Sequence, residues 1–143
     1  MISEYLTNIP ARHLEPFKNE HIQWEQAFRS ISELSCKHGG FIIMLCGIRG
    51  SGKTKMAVNV AKLYAKNEMK AAYYKAIEIF MAIRGTYGGS DANETEVVKK
   101  FIIPSLLIID EAHERGNSEW EDRMLTYIID KRYDSLRDTI LIS

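Results

Sequence analysis

Only two cysteines and three prolines occur in 143 residues. Cys36, at a helix end, and Cys46, in an apolar stretch, form no C-x-x-C pair and have no histidine at ligand spacing. That excludes a disulfide framework and a structural zinc site. Long apolar runs are missing too, so nothing here matches the length needed to cross a bilayer. Met1-Ile2-Ser3-Glu4-Tyr5 lacks the basic start and apolar core of a signal peptide, and a cytoplasmic protein is expected. Neither sign of charge is in excess: 19 Lys and Arg face 19 Asp and Glu. With no global positive field, contact with nucleic acid would have to come from a local patch or from self-assembly. The length allows one domain with a real core, not two. There is no internal repeat and no low-complexity tract.

What is present is concentrated in one stretch. Gly47-Ile48-Arg49-Gly50-Ser51-Gly52-Lys53-Thr54 fills every fixed position of G-x-x-x-x-G-K-[ST]. Phe41 to Cys46 before it reads as a buried strand, and Met56, Ala57, Val60, Ala61 and Tyr64 after it have helical spacing. In that context the glycines let consecutive N–H groups turn toward phosphates, and the helix N-terminus adds partial positive charge. Lys53 would reach the β- and γ-phosphates, and the Thr54 hydroxyl would take a place on Mg²⁺. The bland alternative is a glycine turn before a core helix, which the strand and helix on either side argue against. The expected nucleotide-binding set is Gly47, Ile48, Arg49, Gly50, Ser51, Gly52, Lys53, Thr54 and Met56.

Elsewhere the pattern alternates strand and helix. Residues 1–20 mix Pro10, Pro16, His13 and charges without period and predict a coil lying over the domain; the core is expected over 21–143. Helices are predicted over 21–37, 76–84 and 95–103, the second with Ile77, Phe80 and Met81 on one side. Short strands are predicted over 71–75, 105–110 and 139–143. Gly85 to Asn93 reads as an exposed loop. Ser118-Glu119-Trp120-Glu121 fits a capping box opening a last helix. Such alternation implies right-handed β-α-β units, so the fold class is α/β, a three-layer sandwich around a mostly parallel sheet.

Leu106-Leu107-Ile108-Ile109-Asp110-Glu111 supplies the second half of an ATP site. A buried apolar strand delivers two carboxylates at its C-terminal edge, where ligands bind in open α/β sheets. Asp110 would hold the Mg²⁺ shell and Glu111 would polarise the attacking water, with Lys53 and Glu111 as the catalytic pair. Asp110-Glu111-Ala112-His113 also spells the signature of DEAH-box helicases. One domain's length, and no basic threonine-rich motif between Lys53 and Asp110, argue against that reading. His113 is then a polar loop residue rather than a metal ligand.

Other chemistry-bearing residues have bland readings that outweigh the functional ones. Arg132 is expected to be a solvated or salt-bridged helix arginine, pairing with Asp130 or Glu121, rather than an arginine finger. Lys99-Lys100 and Lys62-Lys66-Lys70 are read as solvated helix faces, and Tyr73-Tyr74 as core rather than as a stacking platform for bases.

Beyond the two nucleotide motifs, Ile9-Pro10-Ala11-Arg12, Ala72-Tyr73-Tyr74, Trp120 and Ile128-Ile129-Asp130-Lys131-Arg132-Tyr133 resemble the AAA+ ATPase core of DnaC-type helicase loaders and the related IstB transposition helpers, phage versions included. The resemblance implies an ATP- and Mg²⁺-dependent switch with weak ATPase activity. Its implied partners are single-stranded DNA, a DnaB-type replicative helicase or a transposase, and further copies of itself. Such cores carry a polar sensor residue and an arginine finger that are not found up to Ser143. The chain is therefore expected to be an incomplete core that binds nucleotide better than it hydrolyses it. A hydrolysis-deficient nucleotide-binding module is the reading from another class. Base-contacting residues are assigned only by position, to Ile9–Phe17.

Overall fold

The computed structural model describes residues 1–16, 18, 21–89, 93–113 and 118–143. Five strands form one sheet: β1 (Leu6–Thr7), β2 (Ile42–Leu45), β3 (Ala71–Lys75), β4 (Leu106–Asp110) and β5 (Asp138–Ile142). Their spatial order is β1-β3-β4-β5-β2, and every pair is parallel. The helices are α1 (Ala11–Leu14), α2 (Ile22–Ser35), α3 (Lys53–Lys66), α4 (Ala76–Arg84), α5 (Glu94–Ile102) and α6 (Glu119–Asp134).

Period two along each strand sorts the core into two layers. Tyr73, Leu106, Ile108, Ile140 and Ile142 face α2 and α3, where Met56, Val60, Ala61 and Tyr64 meet them. Ala72, Leu107, Ile109 and Leu141 face the other way, onto Ile79, Phe80, Phe101, Leu125 and Ile128 of α4, α5 and α6. Strands β4 and β5 are buried at every residue, as expected of strands covered on both sides. This is the α/β sandwich that the alternation implies.

Four local expectations change. The first twenty residues are not plain coil: Ile2–Tyr5 is a 3-10 turn, β1 pairs Leu6 with Ala71, and α1 follows. A two-residue strand carries no readable period, and pairing along the free edge of β3 supplies what propensity does not. The strand before the glycine loop is not buried, since β2 lies at the sheet's other edge with Ile42 45% and Met44 60% exposed. Cys46 follows that strand and is exposed. Helix α4 turns a different face inward, burying Ala76, Ile79, Phe80 and Ile83 and leaving Ile77 and Met81 exposed. Ser118 is the N-cap of α6 but makes no side-chain capping bond, and the Glu121 carboxylate, the reciprocal half of a capping box, lies instead 2.8 Å from Arg84.

The largest departure is Arg132. It is neither solvated nor paired with Asp130 or Glu121. It is fully buried, and its guanidinium donates to the carbonyls of Phe101, Ile102, Pro104 and Asp138 and to Thr139 Oγ1, at 2.6–3.0 Å. One side chain thereby ties the end of α5, the turn into β4 and the start of β5 to α6. Burial, and then Arg137, pull its pKa down to about 9, with Asp138 and Tyr64 acting in the other direction. At neutral pH it remains a cation solvated by carbonyl oxygens.

Candidate nucleotide site

The glycine loop joins the end of β2 to the start of α3. Gly50 and Gly52 hold φ of 81° and 86°, left-handed values that a side chain would resist. Gly52 is the N-cap of α3, so the loop delivers the chain into the positive end of a fourteen-residue helix. The Lys53 amine folds back across the loop and donates to the carbonyls of Gly47 at 2.7 Å and Ile48 at 2.8 Å. The rim, Ile48, Arg49 and Ser51, is exposed. Met56 is different: its side chain is 6% exposed and packs in the α2–α3 core layer, while its backbone N–H bonds the Gly52 carbonyl.

Register brings the acidic pair alongside. β4 ends at Asp110, opposite Lys75 on β3, and the Thr54 hydroxyl donates to Asp110 Oδ2 at 2.9 Å. The same oxygen accepts from the Tyr73 phenol at 2.6 Å, and Oδ1 accepts from the Glu111 N–H at 2.7 Å. Three donors thus fix a carboxylate that is itself buried. Burial first, and then the bond to Asp110, push the Tyr73 phenol well above its ordinary value, so it stays a donor. Glu111 takes φ of 53°, a left-handed strain of the kind that collects at functional sites and costs about 1–3 kcal/mol. Its Oε1 lies 3.0 Å from Lys75 Nζ.

The donor set can be tested against magnesium. Thr54 Oγ1 and Asp110 Oδ2 are hard oxygens 2.9 Å apart, the spacing of neighbouring ligands on one octahedral ion whose bonds are about 2.0–2.1 Å, beside a lysine and a helix N-terminus suited to phosphate. Mg²⁺ prefers one or two such protein oxygens, with phosphate and water completing its octahedron. The residues fit, and among the described residues no cluster of three or more His, Cys, Asp or Glu offers a rival metal centre.

The N-terminal segment approaches this site from above α3. Lys55 Nζ donates to the Glu15 carbonyl at 2.7 Å and Lys62 Nζ to the Leu14 carbonyl at 2.8 Å, seating α1 on the helix that follows the glycine loop. Burial, together with Arg12 and Lys55, lowers the His13 pKa, and the Asp110 charge opposes them. Of the stretch expected to contact a base, Phe17 lies outside the described residues, as do Glu114 and Arg115 after the acidic strand. His113 is exposed past the acidic pair.

Sequence reasoning missed three residues at the site. Tyr73 read as plain core, yet it holds Asp110. Lys75 carried no motif, yet it meets Glu111. Trp24 read as one apolar position of an amphipathic helix, yet its indole N–H donates to the Gly52 carbonyl at 3.2 Å. For Tyr73 and Lys75 a signal existed: a strand paired in parallel with β4 must end level with Asp110. For Trp24 there was none.

The comparisons with known proteins bear on family and fold. The family of IstB-like ATP binding proteins matches residues 20–143. Among solved structures, the DnaC helicase loader is similar at 22% identity and TM-score 0.78, over 94% of this chain and 79% of that one. DnaI is similar at 17% identity and TM-score 0.75, over 96% and 77%. The replication initiator DnaA bound to AMPPCP and single-stranded DNA is similar at 16% identity and TM-score 0.77, over 95% of this chain but 43% of that one. At these identities the likeness is one of fold. No curated protein sequence matches the chain.

Proposed function

Since the chain belongs to the IstB-like ATP-binding family, with the AAA+ fold of DnaC and DnaA, we propose that it is an ATP-dependent switch that helps load a replicative helicase onto single-stranded DNA. The observation that carries the nucleotide part is the 2.9 Å bond from Thr54 Oγ1 to Asp110 Oδ2, which sets the two halves of an ATP site side by side. In this reading the loop from Gly47 to Gly52 turns its N–H groups to the phosphates and Lys53 neutralises their β- and γ-charge. Thr54 and Asp110 would hold Mg²⁺, which when bound would neutralise phosphate charge. Tyr73 and the Glu111 N–H keep the Asp110 carboxylate aimed. Glu111, once free of Lys75, would accept a proton from water.

The replication role is supported by fold likeness to a helicase loader and to an initiator solved with single-stranded DNA. With zero net charge, any DNA contact must be a local patch, and its affinity must fall steeply with salt. An IstB-like transposition helper is the second reading, favoured by the family match itself; it differs in its partner, not in its nucleotide chemistry.

Equilibrium dialysis with ATP tests the core claim. Wild type should bind in a Mg²⁺-dependent manner, Lys53→Ala should bind at least about tenfold more weakly, and Glu111→Gln should bind normally and turn over less. Unchanged affinity in Lys53→Ala would remove the phosphate reading. Co-elution with a DnaB-type helicase in the presence of ATP, and not with a transposase, would separate the two cellular readings.

A further inference from the structure

We infer that Trp24 is a positioning residue for the phosphate loop, anchoring it from a helix outside the motif. This rests on the nucleotide-binding reading of the site and deepens it. The Gly52 carbonyl accepts two bonds, one from Met56 N at 2.9 Å, within the helix, and one from Trp24 Nε1 at 3.2 Å. In a trans peptide the carbonyl and the following N–H point in opposite directions. Holding the Gly52 oxygen toward the Trp24 indole therefore aims the Lys53 N–H the other way, out of the N-terminal end of α3. Gly52 has no side chain to restrain its left-handed torsions, so the orientation of this peptide depends on what its oxygen bonds.

The anchor is itself fixed. Trp24 stacks on Phe28 one turn further along α2, with ring centroids 5.4 Å apart and planes 19° from parallel. Both rings pack on the core layer that holds Met56 and Ala57. An indole pinned by its ring and donating through its only N–H has little freedom left, which is what positioning requires. The loop's other internal ties, Lys53 to Gly47 and Ile48 and the Ser51 N–H to the Ile48 carbonyl at 3.3 Å, all lie inside the motif. Trp24 couples the motif to α2, so a partner that shifts α2 would loosen or tighten nucleotide binding.

Three variants test this. Trp24→Phe keeps the ring and the stack and removes the donor. Replacement of Trp24 by benzothienylalanine, an isostere with sulfur for the indole N–H, does the same at full size. Phe28→Leu weakens the stack and keeps the donor. Without nucleotide, the ¹³C resonance of the Gly52 carbonyl should move in the two donor-less variants and stay in Phe28→Leu. With ADP or ATP, the donor-less variants should bind about fivefold more weakly, the worth of one neutral hydrogen bond, while their thermal midpoints stay close to that of Phe28→Leu. An unmoved carbonyl resonance overturns the anchor, and a moved resonance with wild-type affinity overturns the positioning role. If wild type binds no nucleotide, the reading of the site fails instead, and the resonance alone decides whether the anchor exists.

Discussion

Arg132 shows how far a residue's role depends on what folds around it. A guanidinium on a late helix reads as surface, and nothing in its neighbours along the chain announces the carbonyls it meets. Removing it would leave those carbonyls buried and unpaired, so Arg132→Met should cost about 3–5 kcal/mol, the range for breaking a buried charge network. Urea unfolding measures this, and a loss below about 1 kcal/mol would show the network to be dispensable. Lys75 sits at the opposite extreme. Its pair with Glu111 is more than a third exposed on the lysine side, and such pairs are worth at most about 1 kcal/mol. Lys75→Met should therefore raise basal turnover by no more than about fivefold, by releasing the Glu111 carboxylate, with nucleotide affinity unchanged.

The two buried phenols set the alkaline limit. Burial and a carboxylate acceptor raise both Tyr64, bonded to Asp138, and Tyr73, bonded to Asp110, above the ordinary value near 10. Above that pH the unfolded chain releases two protons that the folded chain keeps, so stability falls as pH rises, by up to about 1.4 kcal/mol per unit for each phenol. Arg132, lowered to about 9, has the opposite sign, and two groups outweigh one. Tyr64→Phe should flatten the loss of unfolding free energy between pH 10 and 11, even if it starts from a lower stability at pH 7.

At the scale of elements, most of the fold could be read from period and punctuation. The predicted spans for α2, β3, α4, α5 and β5 fall within a residue or two of their observed ends, because each is a local apolar pattern and glycine, proline or a cap marks the ends of the helices. The two motifs of the candidate nucleotide site were equally legible as patterns, since their spacing is local, and the Thr54–Asp110 bond brings them together. What could not be read is whatever depends on a neighbour in space: β1, whose two residues exist because β3 has a free edge; the inward face of α4; and the donors from Trp24, Tyr73 and Lys75. The N-terminal segment follows the same rule. Leu6 and Ile9 pack on the core, and Asn8 Nδ2 donates to the Tyr73 carbonyl at 2.9 Å. Deleting residues 1–9 should cost about 3 kcal/mol, from two half-buried aliphatic side chains and the lost strand bonds. A thermal melt would show this as a lowered midpoint in a chain that still folds, because most of the doubly covered sheet is untouched.

Across the whole molecule the sheet is asymmetric. One edge is closed by β1, whereas the other is β2, the strand that leads into the phosphate loop, and it pairs only with β5 among the described residues. Its Ile43 and Leu45 pack on the α2–α3 layer, while Ile42 and Met44, alternating with them, stay exposed on the opposite face. An unpaired edge with apolar residues is a template for association, and natural sheets blunt it with lysine. Met44→Lys places a charge where solvent already reaches, so it should change folding stability by less than about 0.5 kcal/mol. It should also lower concentration-dependent self-association in sedimentation velocity. If association instead persists in Met44→Lys and responds to ATP, copies of the chain meet through the nucleotide face, and the outer side of β2 takes no part in holding them together.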